Sequence, residues 1–405
     1  LAAPPASPLP LGADADAEVA VVVPVYGAPA LVERCLDAVL AETTGRARLI
    51  VVDDASPDPA IAPLLERYAG LDRVELLRNA TNRGFTASAN RGIAAAGRAD
   101  VVLLNADAEV GPNWLTGLRR AAYSRADVGT ATAVSDDAGA FSVPELERTN
   151  ALPSAWTFAQ CARALWQHAG LAYPELPTGN GFCLYVRRAV LDAVGALDEV
   201  AFPQGYGEEN DFCQRAAAAG FRHRIAGNVL VRHARSASFG AERRRTLGAA
   251  GMAVLRERWP NYEAEVGRTL FSFERRVLDW RVRRTYAAAS ATNAPRPRAL
   301  AAGARAAPLP PRFEPWRVEA QGGELVLRAG REPVARAPRA DAERALWDWL
   351  QLHAIEAVVA PPGGAAALAA LPRLAAALGL AVAASADALD AAAAGLLCFA
   401  PRRTR

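Results

Sequence analysis

The chain has 405 residues, 52% hydrophobic and 22% charged, which makes it globular and, at about 150 residues per domain, two to three domains long. Its 46 basic and 43 acidic residues leave a net charge of +3 with no long basic run, which excludes a nucleic-acid footprint. Every basic residue is arginine, so lysine Schiff-base chemistry and the lysine-dependent P-loop are excluded as well.

Val19–Val25 is a continuous apolar run and reads as a strand buried on both faces of a parallel sheet. Pro29 opens a helical pattern that runs to about Ala41. Arg48–Asp54 is a second buried strand that ends in carboxylates, and Ala60–Ala69 is helical. Strands at Arg73–Leu77 and Asp100–Leu104 flank a helix at Thr86–Ala96. A helix at Pro112–Tyr123 and a strand at Val128–Val134 follow. Residues 136–178 read as irregular, with a helical stretch at Trp156–Ala169. Next come a strand (Gly181–Val186), a helix (Arg188–Val194), a loop (Leu197–Gly207), a helix (Glu208–Ala219) and a short strand (Val229–Val231). This alternation predicts a doubly wound α/β sheet whose ligands lie off the carboxyl ends of the strands.

Ala241–Trp280 reads as helical and Arg-rich, and Ala291–Arg312 as a Pro/Ala-rich linker. From Phe313 a smaller α/β unit is expected. It comprises a hairpin turning at Gly322-Gly323, a helix (Asp341–His353), a strand (Glu356–Ala360), an Ala/Leu helix and strands at Leu380–Ala384 and Leu396–Ala400. The expected division is a tail over 1–17, a main domain over 18–240, a helical extension over 241–290, the linker over 291–312 and the small unit over 313–405.

Cys35, Cys161, Cys183, Cys213 and Cys398 form no CxxC pair, so free buried thiols in a reducing compartment are expected. The first 18 residues lack the charged and apolar regions of a signal peptide, and no apolar run of about 18 residues is uninterrupted. A cytoplasmic location is expected, and the start at Leu1 reads as an excised or processed piece.

Five constellations could carry chemistry. Asp53-Asp54 ends the second strand; a carboxylate there can accept the N3–H of uracil or thymine while Pro24, Val25 and Tyr26 line the base slot, or it can cap the next helix. Asn105-Ala106-Asp107 ends the fourth strand, where a carboxylate can hold a hard divalent cation or serve as a cap. Arg78–Phe85 contains Asn82, Arg83 and Gly84, with Asn90 following; it is either a polar turn or a loop whose arginines meet phosphate. Gly207-Glu208-Glu209-Asn210-Asp211 puts three carboxylates at a helix start, where one can act as a general base. His233 follows a strand, and imidazole beside carboxylate suits manganese.

In this order, VVVPVYG, VVDDAS, NxxNRGF, LLNAD, TGNGF, GEENDFCQR and VRH resemble the family 2 glycosyltransferases, inverting enzymes of the GT-A fold. The resemblance covers Val19 to about Gly240. It implies that Pro24, Val25, Tyr26, Asp53, Asp54, Asn82, Arg83, Gly84, Asn90, Asn105, Ala106 and Asp107 bind the nucleotide-sugar donor. It implies a metal site of Asp107 and His233 for Mn2+ or Mg2+. Asn105 departs from the first acid of the family's DxD element. The resemblance places the catalytic base at Glu209, with Glu208 the runner-up and Asp211 steadying the loop or acceptor. Gly179, Asn180 and Tyr206 match acceptor regions. The implied reaction moves a sugar from UDP or dTDP to a hydroxyl of a glycan or lipid-linked acceptor in surface polysaccharide synthesis, with peripheral membrane association through Arg243–Arg284. The alternatives are a nucleotidyltransferase, or an inactive transferase-like protein that binds glycan or acts as a scaffold. The order of elements in the C-terminal unit resembles part of a family 4 GT-B domain.

Overall fold

The apolar run VAVVVPV forms β1 (Val19–Val25), and its side chains alternate between two cores. Val19, Val21, Val23 and Val25 face one helical layer, while Ala20 and Val22 face the other. The computed structural model describes residues 8–12, 17–234, 241–303, 307–363 and 365–402.

α1 (Pro29–Glu42), β2 (Ala47–Asp53), α2 (Ile61–Ala69), β3 (Val74–Arg78), α3 (Phe85–Ala95) and β4 (Asp100–Leu104) follow in alternation. The next elements are β5 (Ala108–Val110), α4 (Trp114–Ala122), β6 (Val128–Val134), α5 (Phe158–His168), β7 (Cys183–Val186), α6 (Arg188–Val194), α7 (Glu208–Ala218) and β8 (Arg222–His233). These strands form one eight-stranded sheet in the order β3-β2-β1-β4-β7-β6-β8-β5. β1 to β4 are mutually parallel, β7 runs against β4 and β6, and β8 is parallel to β6. The carboxyl ends of β1, β2, β4 and β8 therefore share one edge. This is the expected doubly wound mixed sheet with flanking helices.

Three helices follow: α8 (Ala241–Arg258), α9 (Tyr262–Leu270) and α10 (Phe273–Ala287). α10 is anchored to the main sheet by Arg275, which is buried. Its guanidinium donates to the carbonyls of Ala140 and Ser142, both at 2.5 Å, and to Asp279 Oδ1 at 3.0 Å. Among the described residues no helix is long and apolar enough to cross a membrane.

The second sheet contains β9 (Arg298–Ala302), β10 (Glu314–Gln321), β11 (Glu324–Ala329) and β12 (Glu332–Pro338), then β13 (Ala357–Val359) and β14 (Ala381–Ala383), in the order β12-β11-β10-β9-β13-β14. α11 (Ala342–Leu352), α12 (Leu371–Ala377) and α13 (Leu389–Ala392) pack on it. The smaller α/β unit is thus present. Contacts tie it to the main sheet: Arg163 pairs with Glu356 at 3.1 Å, Trp166 Nε1 donates to the Ala354 carbonyl, and Thr44 Oγ1 donates to the Gly379 carbonyl.

Several expectations are corrected. The expected linker over 291–312 contributes β9, a central strand of the second sheet, because its Ala299-Leu300-Ala301 segment is small and apolar enough to bury. Leu9, in the expected tail, is buried against Trp347 and Gln351. The strand expected at Leu396–Ala400 is a 3-10 turn, Gly395–Phe399, wedged so closely on α1 that a Cβ on Gly395 would lie 2.0 Å from the Ala41 carbonyl. The short strand at Val229–Val231 is the end of the twelve-residue β8. β5 and β12 carry too little periodicity to be read locally.

Replacing Arg275 with Met strands buried Asp279 and two carbonyls. The expected loss is about 3–5 kcal/mol of unfolding free energy, read as a lowered urea midpoint.

Candidate active site

A cleft of about 670 Å³ opens off the carboxyl ends of β1, β2 and β4 and the start of α7. Pro24, Val25 and Tyr26 line it from the end of β1. Asp54, Asn82 and Gly84 line it from the loops beside β2 and β3. Asn105, Ala106 and Asp107 enter from the end of β4, and His233 from the end of β8. Asn180, Tyr206, Glu208 and Glu209 close the remaining side. Asp53, Arg83, Asn90, Gly179 and Asp211, also expected at the site, are not among the lining residues.

The two adjacent aspartates diverge. Asp53 Oδ1 accepts the Ser56 N–H at 3.0 Å and so caps the turn after β2. Asp54 is buried; its Oδ1 accepts from Asn79 Nδ2 at 2.7 Å and the Arg83 N–H at 2.8 Å, and its Oδ2 accepts the Gly84 N–H at 2.9 Å. The loop 79–84 therefore hangs on one carboxylate. Gly84 has φ +87°, and a Cβ there would lie 2.2 Å from the Pro203 carbonyl, so the loop meets the segment before α7 without a side chain between them. Asn90 sits behind the cleft. Its amide donates to the Leu197 carbonyl at 2.9 Å and accepts the Leu197 N–H at 3.0 Å. The Arg83 guanidinium lies 3.8 Å from Glu199. Gly179 has no room for a side chain, since a Cβ would lie 2.5 Å from Leu184.

Asp107 and His233 meet because β5 pairs antiparallel with the end of β8, putting Ala108 opposite His233. His233 Nδ1 lies 3.0 Å from the Asp137 carbonyl, which can only accept, so Nδ1 carries a proton. Nε2 then points at Asp107 Oδ1, 3.3 Å away, with Asn105 Nδ2 at 3.5 Å. Phe182 stacks on the imidazole at 5.3 Å between centroids and fixes the ring plane. Nε2 and Asp107 Oδ1 thus present two donor atoms 3.3 Å apart at the cleft. One carboxylate oxygen and one imidazole nitrogen fit a divalent ion such as Mn2+ or Mg2+. Among the described residues no group of three His, Cys, Asp or Glu converges as a complete metal cage.

Glu208 and Glu209 begin α7 after Gly207, whose φ of +144° and contact with Phe202 exclude a side chain. Glu208 is buried and accepts the Gly207 N–H at 3.0 Å. Burial, and then the neighbouring Glu209 charge, push its pKa well above the carboxylate range. Burial also raises Glu209, while hydrogen bonds from backbone N–H groups and from Glu208 oppose the rise. Both carboxyls of the pair thus bind a proton more tightly than an ordinary glutamate, chiefly because they are buried. Glu209 Oε2 is buried with no hydrogen-bond partner among the described residues.

Asp211 faces away from the cleft. Its carboxylate accepts from Arg215 Nε at 2.9 Å, Arg258 at 3.1 Å and Trp259 Nε1 at 3.0 Å. Next to it, Asn210 Nδ2 donates to Thr178 Oγ1 at 2.6 Å and Tyr262 Oη at 2.7 Å. α8 and α9 are thus clamped onto the helix that carries Glu208 and Glu209, through Arg258, Trp259 and Tyr262, which sequence reasoning did not single out. The available signal was Trp259 and Tyr262, two aromatics in an otherwise Arg-rich stretch.

The family model described as "Glycosyl transferase family 2" matches residues 20–194. The "Uncharacterized protein y4gI" of Sinorhizobium fredii (strain NBRC 101917 / NGR234) is 25% identical over 259 residues, which cover 60% of this chain and 28% of that protein. The "Uncharacterized glycosyltransferase EpsJ" of Bacillus subtilis (strain 168) is 34% identical over 79 residues, covering 19% of this chain and 22% of that one. The chain therefore spans about a quarter of the length of these curated relatives. Among solved structures, the mannosyltransferase PcManGT from Pyrobaculum calidifontis, in complex with GDP-Man and Mn2+, aligns over 68% of this chain and 76% of its own, with TM-score 0.44 and 19% identity. GalNAc-T7 with UDP, GalNAc and Mn2+ aligns over 54% of this chain and 44% of its own, with TM-score 0.42 and 17% identity. The family match contains Asp54 and Asp107 and stops short of Glu208, Glu209 and His233. Residues 20–194 are a glycosyltransferase family 2 domain.

Proposed function

We propose that the chain is an inverting glycosyltransferase that moves a sugar from UDP or dTDP to a hydroxyl of a glycan or lipid-linked acceptor. One observation carries the reading: Glu209 holds a buried, unpartnered Oε2 in the same cleft as the Asp107–His233 pair. A base and a cation site on one cleft are the two requirements of a single displacement.

The base of the nucleotide is proposed to lie over Pro24, Val25 and Tyr26, with Asp54 Oδ2 accepting the pyrimidine N3–H beside its bond to Gly84. Asp107 and His233 would hold the divalent ion, with the donor's phosphate oxygens completing its shell. When bound, that ion supplies positive charge against the departing diphosphate. Glu209 takes the proton of the acceptor hydroxyl as its oxygen attacks the anomeric carbon, and the bond from that carbon to the diphosphate breaks. The hydrogen bond from the Glu208 side chain and those from backbone N–H groups limit the rise in proton affinity that burial imposes on the base. Asn180 and Tyr206 lie beside this carboxylate in the cleft and would meet the acceptor.

The nucleotide assignment is tested by thermal-shift titration with UDP, dTDP, GDP and CDP, with and without Mn2+ or Mg2+. A metal-dependent rise with UDP or dTDP is expected, about 2.7 kcal/mol at a hundredfold excess over Kd, and it is lost in Asp107→Ala. Absence of a shift with every nucleotide would sink the transferase reading and favour the inactive glycan-binding alternative.

Glu209→Gln removes the base. Donor-dependent turnover is expected to fall about 10²–10⁴-fold while the nucleotide-induced shift remains. In the unsubstituted protein the rate rises with pH through a midpoint above the usual glutamate range, since burial raises Glu209.

Glu208→Gln keeps a neutral donor to Glu209 and removes an ionisation. The folded state binds the Glu208 proton more tightly than the unfolded chain does, so the stability it contributes is lost as pH rises through its raised pKa. The variant's melting temperature is therefore expected to overtake that of the unsubstituted protein progressively as pH is raised.

A further inference from the structure

α10 has two faces of unlike character. Its inner face carries Val277, Leu278, Val282 and the buried Arg275–Asp279 pair. Its outer face carries Phe273, Arg276, Trp280 and Arg284, spaced i, i+3, i+7 and i+11, which is one stripe of a helix. Phe271, the residue after α9 and two before Phe273, adds another exposed ring. These rings are among the most exposed large apolar side chains of the described residues: Phe271 is 68% exposed, Trp280 51% and Phe273 39%. A solvated face does not need three large aromatics within ten residues.

The charges on the stripe have one sign. Arg276 and Arg284 alternate with the rings, and the Arg284 guanidinium lies 5.5 Å above the Trp280 ring. Glu274, the nearest acid on the helix, is rotated by about 100° from Phe273. Arg283 is turned to the side and pairs with Glu145 at 2.8 Å. On α9, Arg268 adds another exposed cation, 4.0 Å from Glu265. Aromatic rings interleaved with arginines along one helix lying on the surface match the chemistry of a bilayer interface, with rings at the headgroup level and guanidinium groups on lipid phosphates.

We propose that the outer face of α10, with Phe271, docks the protein on an anionic lipid bilayer. The charge on the stripe selects the occupant, because cations spaced along a convex helix complement a sheet of anionic headgroups. The inference stands apart from the transferase reading, since no residue of the stripe lines the cleft.

The test is flotation of the full chain with phosphatidylcholine vesicles and with vesicles containing about one-third phosphatidylglycerol. Binding is expected to the anionic vesicles only, and to fall as salt is raised to about 0.5 M. Two variants, Phe271→Ser/Phe273→Ser/Trp280→Ser and Arg276→Gln/Arg284→Gln, are each expected to lose about tenfold or more in partitioning. Their melting temperatures and nucleotide-induced shifts are expected to be unchanged. Failure of the unsubstituted chain to float with anionic vesicles overturns the proposal without touching the nucleotide result. So does equal binding by the folded variants. A dimer of the unsubstituted chain that the triple variant converts to monomer, seen by light scattering, would show a second copy covering this face and would overturn it too.

Discussion

Glu208 and Glu209 are held side by side out of water, and keeping two like charges there constrains everything around them. The crowding is eased by backbone N–H groups at a helix start, where the partial positive charge favours carboxylates. That solution needs Gly207, because its φ of +144° and the Phe202 ring against it leave no room for a side chain. It also needs α7 to stay where it is. Asp211 and Asn210 provide this by tying the helix to the α8–α9 segment and Thr178 through four hydrogen bonds. The extension is therefore part of the site's support.

The opposite wall depends on strand direction. β1, β2 and β4 run parallel, so the segments after them open onto one edge. β8 reaches the same edge because the antiparallel β7 lies between β4 and β6 and restores the direction. The three-residue β5 then sets the register that brings His233 against Asp107. A one-residue slip would turn the imidazole to the other face of the sheet. The Asp137 carbonyl and the Phe182 ring fix the tautomer and plane of that imidazole, so these two groups determine which nitrogen faces Asp107.

The α8–α10 segment serves two purposes with one composition. Buried Arg275 is consumed by Asp279 and backbone carbonyls, and the half-exposed Arg258 by Asp211. Outward-facing Arg276 and Arg284 remain exposed, Arg284 over the Trp280 ring. Counting arginines along the sequence cannot separate these sets, whereas the helical phase can once the buried face is known.

The sequence by itself determined the strands and helices of the main sheet, because continuous apolar runs and 3.6-residue periodicity are local signals. It also indicated the cleft: Asp54, Asp107, Glu208, Glu209 and His233 each follow a readable strand or begin a readable helix, and all five line it. Tertiary structure alone decided between Asp53 and Asp54, since capping and facing a cleft are both open to an aspartate after a strand. It placed β9 inside a Pro- and Ala-rich stretch that has no strong pattern of its own, and it made Gly395–Phe399 a turn against α1 where the apolar residues alone read as a strand. It assigned Asp211 to the clamp and Asn90 to the loop behind the cleft. The physical reason is the same in each case: an element's type follows from neighbours a few residues away, while a polar side chain's partner is set by strands and helices tens to hundreds of residues distant.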